Sequence, residues 1–308
     1  VSTERTSLRS SCGSGPVGCV PFRGAGRFKQ GAALRRTVRV NQPEEMGRST
    51  VSPRSSAKRC LVVVPVFGQI AMTHDLIPEI LRESNLVDVL VVDNRGDYVP
   101  YAAERVATPG TNLGWAGGSN LGFRIAFREG YTHAMTLNND TRLSPGFFAG
   151  VLDERLPGDA GLIGPMYDDT GGHGWQKAEF DGPAAEYEPV ERYWQVPCFD
   201  GTAMMISAGA WEAAGEIDER TFGKYGWGAN LDWCLRVADA GFGIYLTEMS
   251  YMNHLGRKTA TANTHNLRYL FDAIRGLRGG MSTVYGRKWR DKFKHAPQPC
   301  ALAEEVSA

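Results

Sequence analysis

Apolar and polar positions along the chain fall into two regimes that meet at Cys60. Residues 1–58 show no apolar periodicity long enough to cover a packed element. From Cys60 onward, short β-branched runs alternate with stretches of helical spacing. The continuous run Leu61-Val62-Val63-Val64-Pro65-Val66 predicts a strand buried on both faces. Met72, Leu76, Ile77, Ile80 and Leu81 recur at helical spacing and predict a helix over Ala71 to Arg82. Val87 to Asp93 predicts a second buried strand, ending in an acid. Strand, helix and strand within about 35 residues read as a right-handed crossover in a parallel sheet. A further helix is predicted over Gly118 to Glu129, with strands over Thr132 to Leu137, Gly161 to Met166 and Ile244 to Thr247. The expected class is α/β: a Rossmann-like, mostly parallel central sheet flanked by helices. Asn266 to Arg275 has amphipathic spacing, so helices are expected at the C-terminal end as well.

Composition changes this picture at the edges. The chain has 308 residues, 42% apolar and 22% charged, which allows a sizeable core and excludes a disordered polar chain. No apolar run reaches the roughly 18 residues of a membrane-spanning helix. Lys+Arg and Asp+Glu are equal at 34 each, but that equality is an average. Residues 1–60 carry 12 basic and 3 acidic residues, and the rest carries 22 and 31. The Ser-, Gly- and Arg-rich stretch 1–58 cannot offset its ordering entropy and reads as a disordered basic leader. It lacks the apolar core of roughly 7–15 residues that a secretory signal needs. Translation starting at Met46 would leave residues 1–45 outside the natural protein, and this is the preferred reading. An organellar transit peptide and a basic arm for anionic lipid or nucleic acid are the alternatives. The cysteines Cys12, Cys19, Cys60, Cys198, Cys234 and Cys300 form no C-x-x-C pair and no zinc spacing. Cys60, Cys198 and Cys234 adjoin apolar runs and read as buried thiols of a reducing compartment, which makes the cytoplasm the default location.

Ligands of parallel sheets gather at the carboxyl ends of the strands. Here those ends are polar. Pro65-Val66-Phe67-Gly68-Gln69 follows the first strand, Asp93-Asn94-Arg95-Gly96-Asp97 the second, and Asn138-Asn139-Asp140-Thr141 the third. Between them, Asn112-Leu113-Gly114-Trp115-Ala116-Gly117-Gly118-Ser119-Asn120 reads as a glycine-rich loop entering a helix, a place where backbone N–H groups meet phosphate.

Together these segments resemble the family 2 glycosyltransferases of GT-A fold, closest to their bacterial rhamnosyltransferase-like branch. The resemblance runs on through Gly201-Thr202-Ala203-Met204-Met205-Ile206, Gly215-Glu216-Ile217-Asp218-Glu219 and Leu231-Asp232-Trp233-Cys234-Leu235-Arg236 to His254. It implies an enzyme that moves a sugar from a UDP- or dTDP-linked donor to an acceptor hydroxyl, with inversion and with Mg2+ or Mn2+. Asp140 resembles the metal-binding acid, and His254 the remote metal ligand. Asp93 resembles the acid that reads the nucleotide base, Pro65, Val66 and Phe67 the wall of the base pocket. Asn112, Gly114, Gly117, Asn138 and Asn139 would lie along the nucleotide sugar.

The chain departs from the family at the acceptor side. Where a Glu-Asp pair is usual, it reads Ala229-Asn230, and neither side chain takes a proton. Asp232 is the candidate general base, its alternative role being that of an acid at a helix start. Asp200 is the second candidate, for acceptor contact or as the base. The missing pair also supports a different class of function, a non-catalytic sugar-nucleotide-binding or scaffold protein. Residues 168–190 read as an acceptor-side loop or a surface insertion. The implied boundaries are a leader over 1–58, a catalytic domain over 59–258, a helical extension over 259–296 and a flexible tail over 297–308. The expected partners are the nucleotide-sugar donor and a glycan, lipid-linked or small-molecule acceptor, with no nucleic acid. From Asn266 to His295 there are 8 basic and 2 acidic residues, compatible with peripheral contact at the inner face of a membrane or with a solvated basic face.

Overall fold

A computed structural model describes residues 39–41, 60–102, 104–168, 173–256 and 266–300. The rest of the leader, with Met46, Cys12 and Cys19, and the segment beyond residue 300 lie outside the described residues. The buried runs at the start of the folded body form β2 (Cys60–Val66) and β3 (Val87–Asp93), joined by α1 (Ile70–Leu81). The two strands pair in parallel, with Val62 opposite Val89, as the strand–helix–strand pattern predicts. Then follow β4 (Arg105–Thr108), α2 (Gly114–Arg128), β5 (His133–Leu137), β6 (Thr141–Leu143), the short α3 (Phe147–Val151) and β7 (Ala160–Tyr167). The second half holds β8 (Tyr193–Gln195), β9 (Ala203–Ser207), α4 (Ala208–Ala214), α5 (Ala229–Asp239), β10 (Gly243–His254), α6 (Asn266–Tyr285) and β11 (Gln298–Cys300).

All of these strands, with β1 (Arg39–Asn41), join one sheet in the order β1-β4-β3-β2-β5-β9-β7-β10-β8-β11, and β6 pairs with the end of β10. In the centre β4, β3, β2, β5, β7 and β10 run one way, and only β9 opposes them. The sheet is therefore mostly parallel at its core and antiparallel at its rims. β4, β6, β8 and β9 are strands without a predicted counterpart, and two further short strands fall in stretches read as leader and tail. Arg39–Asn41 lies inside the stretch read as a disordered leader and pairs antiparallel with β4. Gln298–Cys300 lies inside the stretch read as a flexible tail and pairs antiparallel with β8. Three-residue edge strands carry too little periodicity to be seen in a sequence.

The uninterrupted apolar run of β2 is explained by burial on both faces. Leu61 and Val63 join the core that holds Phe123 of α2 and Trp233 of α5. Cys60, Val62, Val64 and Val66 join the opposite core, with Leu76 and Ile77 of α1 and Phe147 and Phe148 of α3. Helix α2 approaches the sheet closely because its glycines leave room. A Cβ on Gly122 would lie 2.3 Å from Val63 Cγ1, and one on Gly118 3.0 Å from Pro65 Cβ. Pro65 has no N–H to give the ladder; it stands beyond Val63, the last β2 residue paired with β5. Burial raises the thiol pKa values of Cys60, Cys198 and Cys234, as expected of inert core cysteines. No helix among the described residues is long and apolar enough to cross a membrane.

Candidate active site

The carboxyl ends of β2, β3 and β5 open on one side of the sheet, and the chain enters β9 on that same side because β9 opposes β5. Each polar segment is therefore delivered to one rim.

At the β3 end, Asp93 is buried and its carboxylate is committed to its own loop. Oδ1 accepts from the backbone N–H groups of Arg95 (3.1 Å) and Gly96 (2.8 Å), and Oδ2 from that of Tyr98 (2.9 Å). This is the turn-holding role of an aspartate, and it rigidifies residues 95–98. Asn94 links that loop to α2: its Oδ1 accepts from Leu113 N–H at 2.9 Å and its amide reaches Gly114 C=O at 3.4 Å. Exposed Asn112 accepts from Gly114 N–H at 2.8 Å. The start of α2 is thus capped from outside by Asn94 and Asn112, and no side chain of the N-cap residue Leu113 does so. The helix begins at Gly114 and not at Gly118, so Gly117 and Gly118 lie within its first turns, both buried. Gly117 packs beside Glu219 and Gly118 against Pro65. At both positions the missing side chain lets the first turns of α2 pack closely on their neighbours. Val66 is buried and Pro65 and Phe67 are half-buried at the neighbouring strand end. A Cβ on Gly68 would lie 2.7 Å from the Arg95 guanidinium, so the β2 and β3 loops touch there.

At the β5 end the Asn-Asn-Asp segment fans out. Asn138 donates its N–H to Thr202 C=O at 2.9 Å and stays half-buried. Asn139 turns into the α1 side, its amide donating to Thr73 Oγ1 at 3.0 Å. Asp140 turns the other way, toward the end of β10. The antiparallel pairing of β6 with β10 sets His254 opposite Thr141, and Leu255 N–H donates to Asp140 C=O at 2.8 Å. His254 Nε2 therefore lies 3.6 Å from Asp140 Oδ1, both side chains less than a tenth exposed. Asp168, at the end of β7, fixes this strand end: it accepts from His254 N–H and from the Asn253 amide, each at 2.8 Å. A polar residue closing a buried strand is a legible signal, and it marks Asp168 as it marks Asp93.

Divalent cations bond carboxylate and imidazole atoms at about 2.0–2.2 Å, so one ion can span Asp140 and His254. Two protein ligands leave most of the coordination sphere to phosphate and water, an arrangement suited to Mg2+ or Mn2+. Among the described residues, no three His, Cys, Asp or Glu side chains converge on a common centre.

The acceptor-side candidates separate. Asp200 stands before β9 with its Oδ1 accepting from Thr202 N–H at 2.9 Å and from the Thr202 hydroxyl. Its own N–H donates to Gln176 Oε1 at 2.8 Å. Beside it, a Cβ on Gly201 would meet the Trp115 ring at 3.1 Å and Asn230 Cβ at 3.4 Å. Asn230 points to the same loop, its amide donating to Phe199 C=O at 2.8 Å. Asp232 does not share that place. Two residues along a helix differ by about 200° in direction, so Asp232 faces away, toward α6. Its Oδ1 accepts from the Tyr285 hydroxyl at 2.8 Å and its Oδ2 from Arg236 Nε at 2.9 Å. Arg236 also donates to Ala214 and Glu216 carbonyls. Asp232 thus lies in the first turn of α5 with its carboxylate turned to Tyr285 and Arg236, whereas Asp200 lies beside Gly201 and Asn230. His173 was not among the sequence candidates; it stacks on Trp175 (5.0 Å, 8°) with Nε2 3.6 Å from Cys198 Sγ. Burial lowers its imidazole pKa against the opposing charge of Asp200.

No family model matches the chain. Three mycobacterial proteins align with most of it: uncharacterized protein Rv1525 of Mycobacterium tuberculosis (strain ATCC 25618 / H37Rv), MT1576 of M. tuberculosis (strain CDC 1551 / Oshkosh) and Mb1552 of M. bovis (strain ATCC BAA-935 / AF2122/97). Each is 50% identical over 249 residues, covering 76% of this chain and 94% of the relative. The chain belongs to the family these proteins form. Among solved structures, GalNAc-T7, determined with UDP, GalNAc and Mn2+, superposes with a TM-score of 0.54 at 11% identity. The match covers 78% of this chain and 50% of that one, so this chain spans about half its length. At that identity the likeness establishes the fold, which is the GT-A fold of glycosyltransferases.

Proposed function

We propose that this protein is a glycosyltransferase of the rhamnosyltransferase-like branch, moving a sugar from a UDP- or dTDP-sugar to an acceptor hydroxyl with inversion. The observation that carries the reading is the buried Asp140–His254 pair at the carboxyl edge of a GT-A sheet. GalNAc-T7, of the same fold, was determined with a nucleoside diphosphate and Mn2+, which favours a diphosphate donor here. Asp140 and His254 would hold the divalent ion, whose chemistry is to stabilise the charge gathering on the departing diphosphate. The nucleotide lies between the β2 end (Pro65, Val66, Phe67) and the loop that Asp93 fixes. Asn112, Gly114, Gly117, Asn138 and Asn139 edge its path. The acceptor oxygen attacks the anomeric carbon as the bond to the diphosphate breaks, and the hydroxyl proton passes to Asp200. Both bonds from Thr202 fall on Asp200 Oδ1, which leaves Oδ2 for that proton.

A second reading follows from Asn230. It stands where the family carries an acid, and its amide is engaged with Phe199 C=O, as in a sugar-nucleotide-binding protein that does not turn over. Calorimetry with UDP, dTDP and GDP, with and without Mn2+, combined with a donor-hydrolysis and transfer assay, decides between them. The expected result is metal-dependent binding of UDP or dTDP that Asp140→Ala abolishes, and turnover that Asp200→Asn depresses. Metal-dependent binding with no turnover of any donor selects the second reading. Absence of nucleotide binding under all conditions overturns both.

A further inference from the structure

We propose that the exposed face of α6 docks on an anionic lipid bilayer. The helix has two unlike faces. Its inner face packs on the segment before α5: Tyr269, Ala273 and Met281 are buried, and Trp227 Nε1 donates to the Tyr269 hydroxyl at 3.0 Å. Gly276 and Gly280 let α6 close onto Phe222, since a Cβ at either would fall 2.6 Å or less from it. The outer face carries Leu267, Phe271 and Ile274, which are 83%, 65% and 40% exposed. Their spacing places them within an arc of about 60° on the helix. Three large apolar side chains in one solvent-facing stripe are unusual for surface residues scattered singly.

Charge determines which occupant fits. Arg268, Arg275 and Arg278 are exposed around that stripe, with Asp272 as the only acid of the helix. Arg287, Lys288, Arg290, Lys292 and Lys294 follow within the next turns. Residues 266–295 thus hold 8 basic and 2 acidic residues, whereas residues 60–265 hold 14 basic and 27 acidic. An anionic surface attracts the α6 face and repels most of the remaining body, which selects one orientation. An apolar stripe rimmed by Arg and Lys is the composition of helices that lie in the headgroup region, where apolar side chains reach the acyl boundary and cations meet phosphates. An acidic protein surface would satisfy the cations but offers no medium for Leu267 and Phe271 together. The inference goes beyond the transferase reading and is measured without it.

The test is sedimentation of the full chain with vesicles of pure phosphatidylcholine and of an equimolar phosphatidylglycerol–phosphatidylcholine mixture, at low and high salt. The wild type is expected to bind the anionic vesicles, to bind neutral ones weakly, and to release with salt. The variant Leu267→Ser/Phe271→Ser/Ile274→Ser is expected to lose about tenfold or more in partitioning. Arg268→Glu/Arg275→Glu/Arg278→Glu is expected to lose at least about fivefold per charge. All variants keep the basic leader, so the difference from wild type isolates α6, and melting curves establish that each variant is folded. Wild-type chain that ignores anionic vesicles overturns the proposal. So does a folded serine variant that binds them like wild type. A wild-type dimer in solution that the serine variant converts to monomer, without vesicle binding, assigns the face to a second copy and likewise overturns it.

Discussion

Replacing Asp232 by Asn tests the division of labour between the two acceptor-side acids. Asp232 is 3% exposed, and its carboxylate accepts from Arg236 Nε at 2.9 Å and from the Tyr285 hydroxyl at 2.8 Å. Hydrogen bonds to a charged group contribute about 1.5–3 kcal/mol each, against about 1 kcal/mol for neutral ones. In the Asn variant the carbonyl oxygen can keep Tyr285, now as a neutral bond. The amide NH2 then meets the Arg236 donor and that bond is lost. Arg236 retains its carbonyl partners Ala214 and Glu216 and its own partial exposure, so it is not stranded. The net loss is about 3 kcal/mol. At about 2–4 °C per kcal/mol for a body of this size, the melting temperature should fall by roughly 6–12 °C. The assay is thermal unfolding by circular dichroism at neutral pH, paired with donor turnover measured well below both transitions. Turnover per folded molecule should largely survive. Asp200→Asn should do the reverse: its amide oxygen still accepts from Thr202, so stability changes little, while removal of a general base costs about 10²–10⁴ in rate. An Asp232→Asn variant that melts like wild type yet has lost turnover would refute the reasoning and return the base to Asp232.

The remaining predictions concern the frame around the site. Gly122→Ala places a methyl group 2.3 Å from Val63 Cγ1, and should destabilise by about 1–3 kcal/mol through overpacking; adding Val63→Ala should recover part of that, as read by denaturant midpoints. Asp93→Ala removes the acceptor of three backbone N–H groups, and should open residues 95–98 to limited proteolysis and weaken nucleotide binding. Burial lowers the His173 pKa, so the unfolded chain binds more protons than the fold as pH drops below about 6.5. Stability should therefore decline as pH falls through that window, and His173→Asn should show a smaller loss of melting temperature between about pH 7 and about pH 5.5.

How far the sequence can be read depends on whether a residue's role is set by its neighbours in the chain or by something distant. The buried strands β2, β3, β5 and β7 were legible because burial on both faces writes itself as uninterrupted apolar runs, and the polar residues that end them follow directly. Asp140 could be placed from that logic alone. Its pairing with His254 rests on resemblance until the antiparallel contact of β6 with β10 brings residues 114 positions apart in sequence to 3.6 Å. Glycine was the least legible residue. In Asn112 to Asn120 it signals equally a phosphate-binding turn or a helix pressed onto a strand, and only the position of Pro65 shows how closely the helix packs at Gly118. Asp232 shows the same limit in its sharpest form. Asn230 and Asp232 are two residues apart, so any linear pattern treats them as one motif, yet the helix sends them to opposite sides. What decides between them is Tyr285, 53 residues on, which claims Asp232 from α6. On the proposed transferase reading, the acid missing at 230 is therefore replaced not two residues later on the same helix but from a different strand end, where Asp200 lies across Gly201 from Asn230.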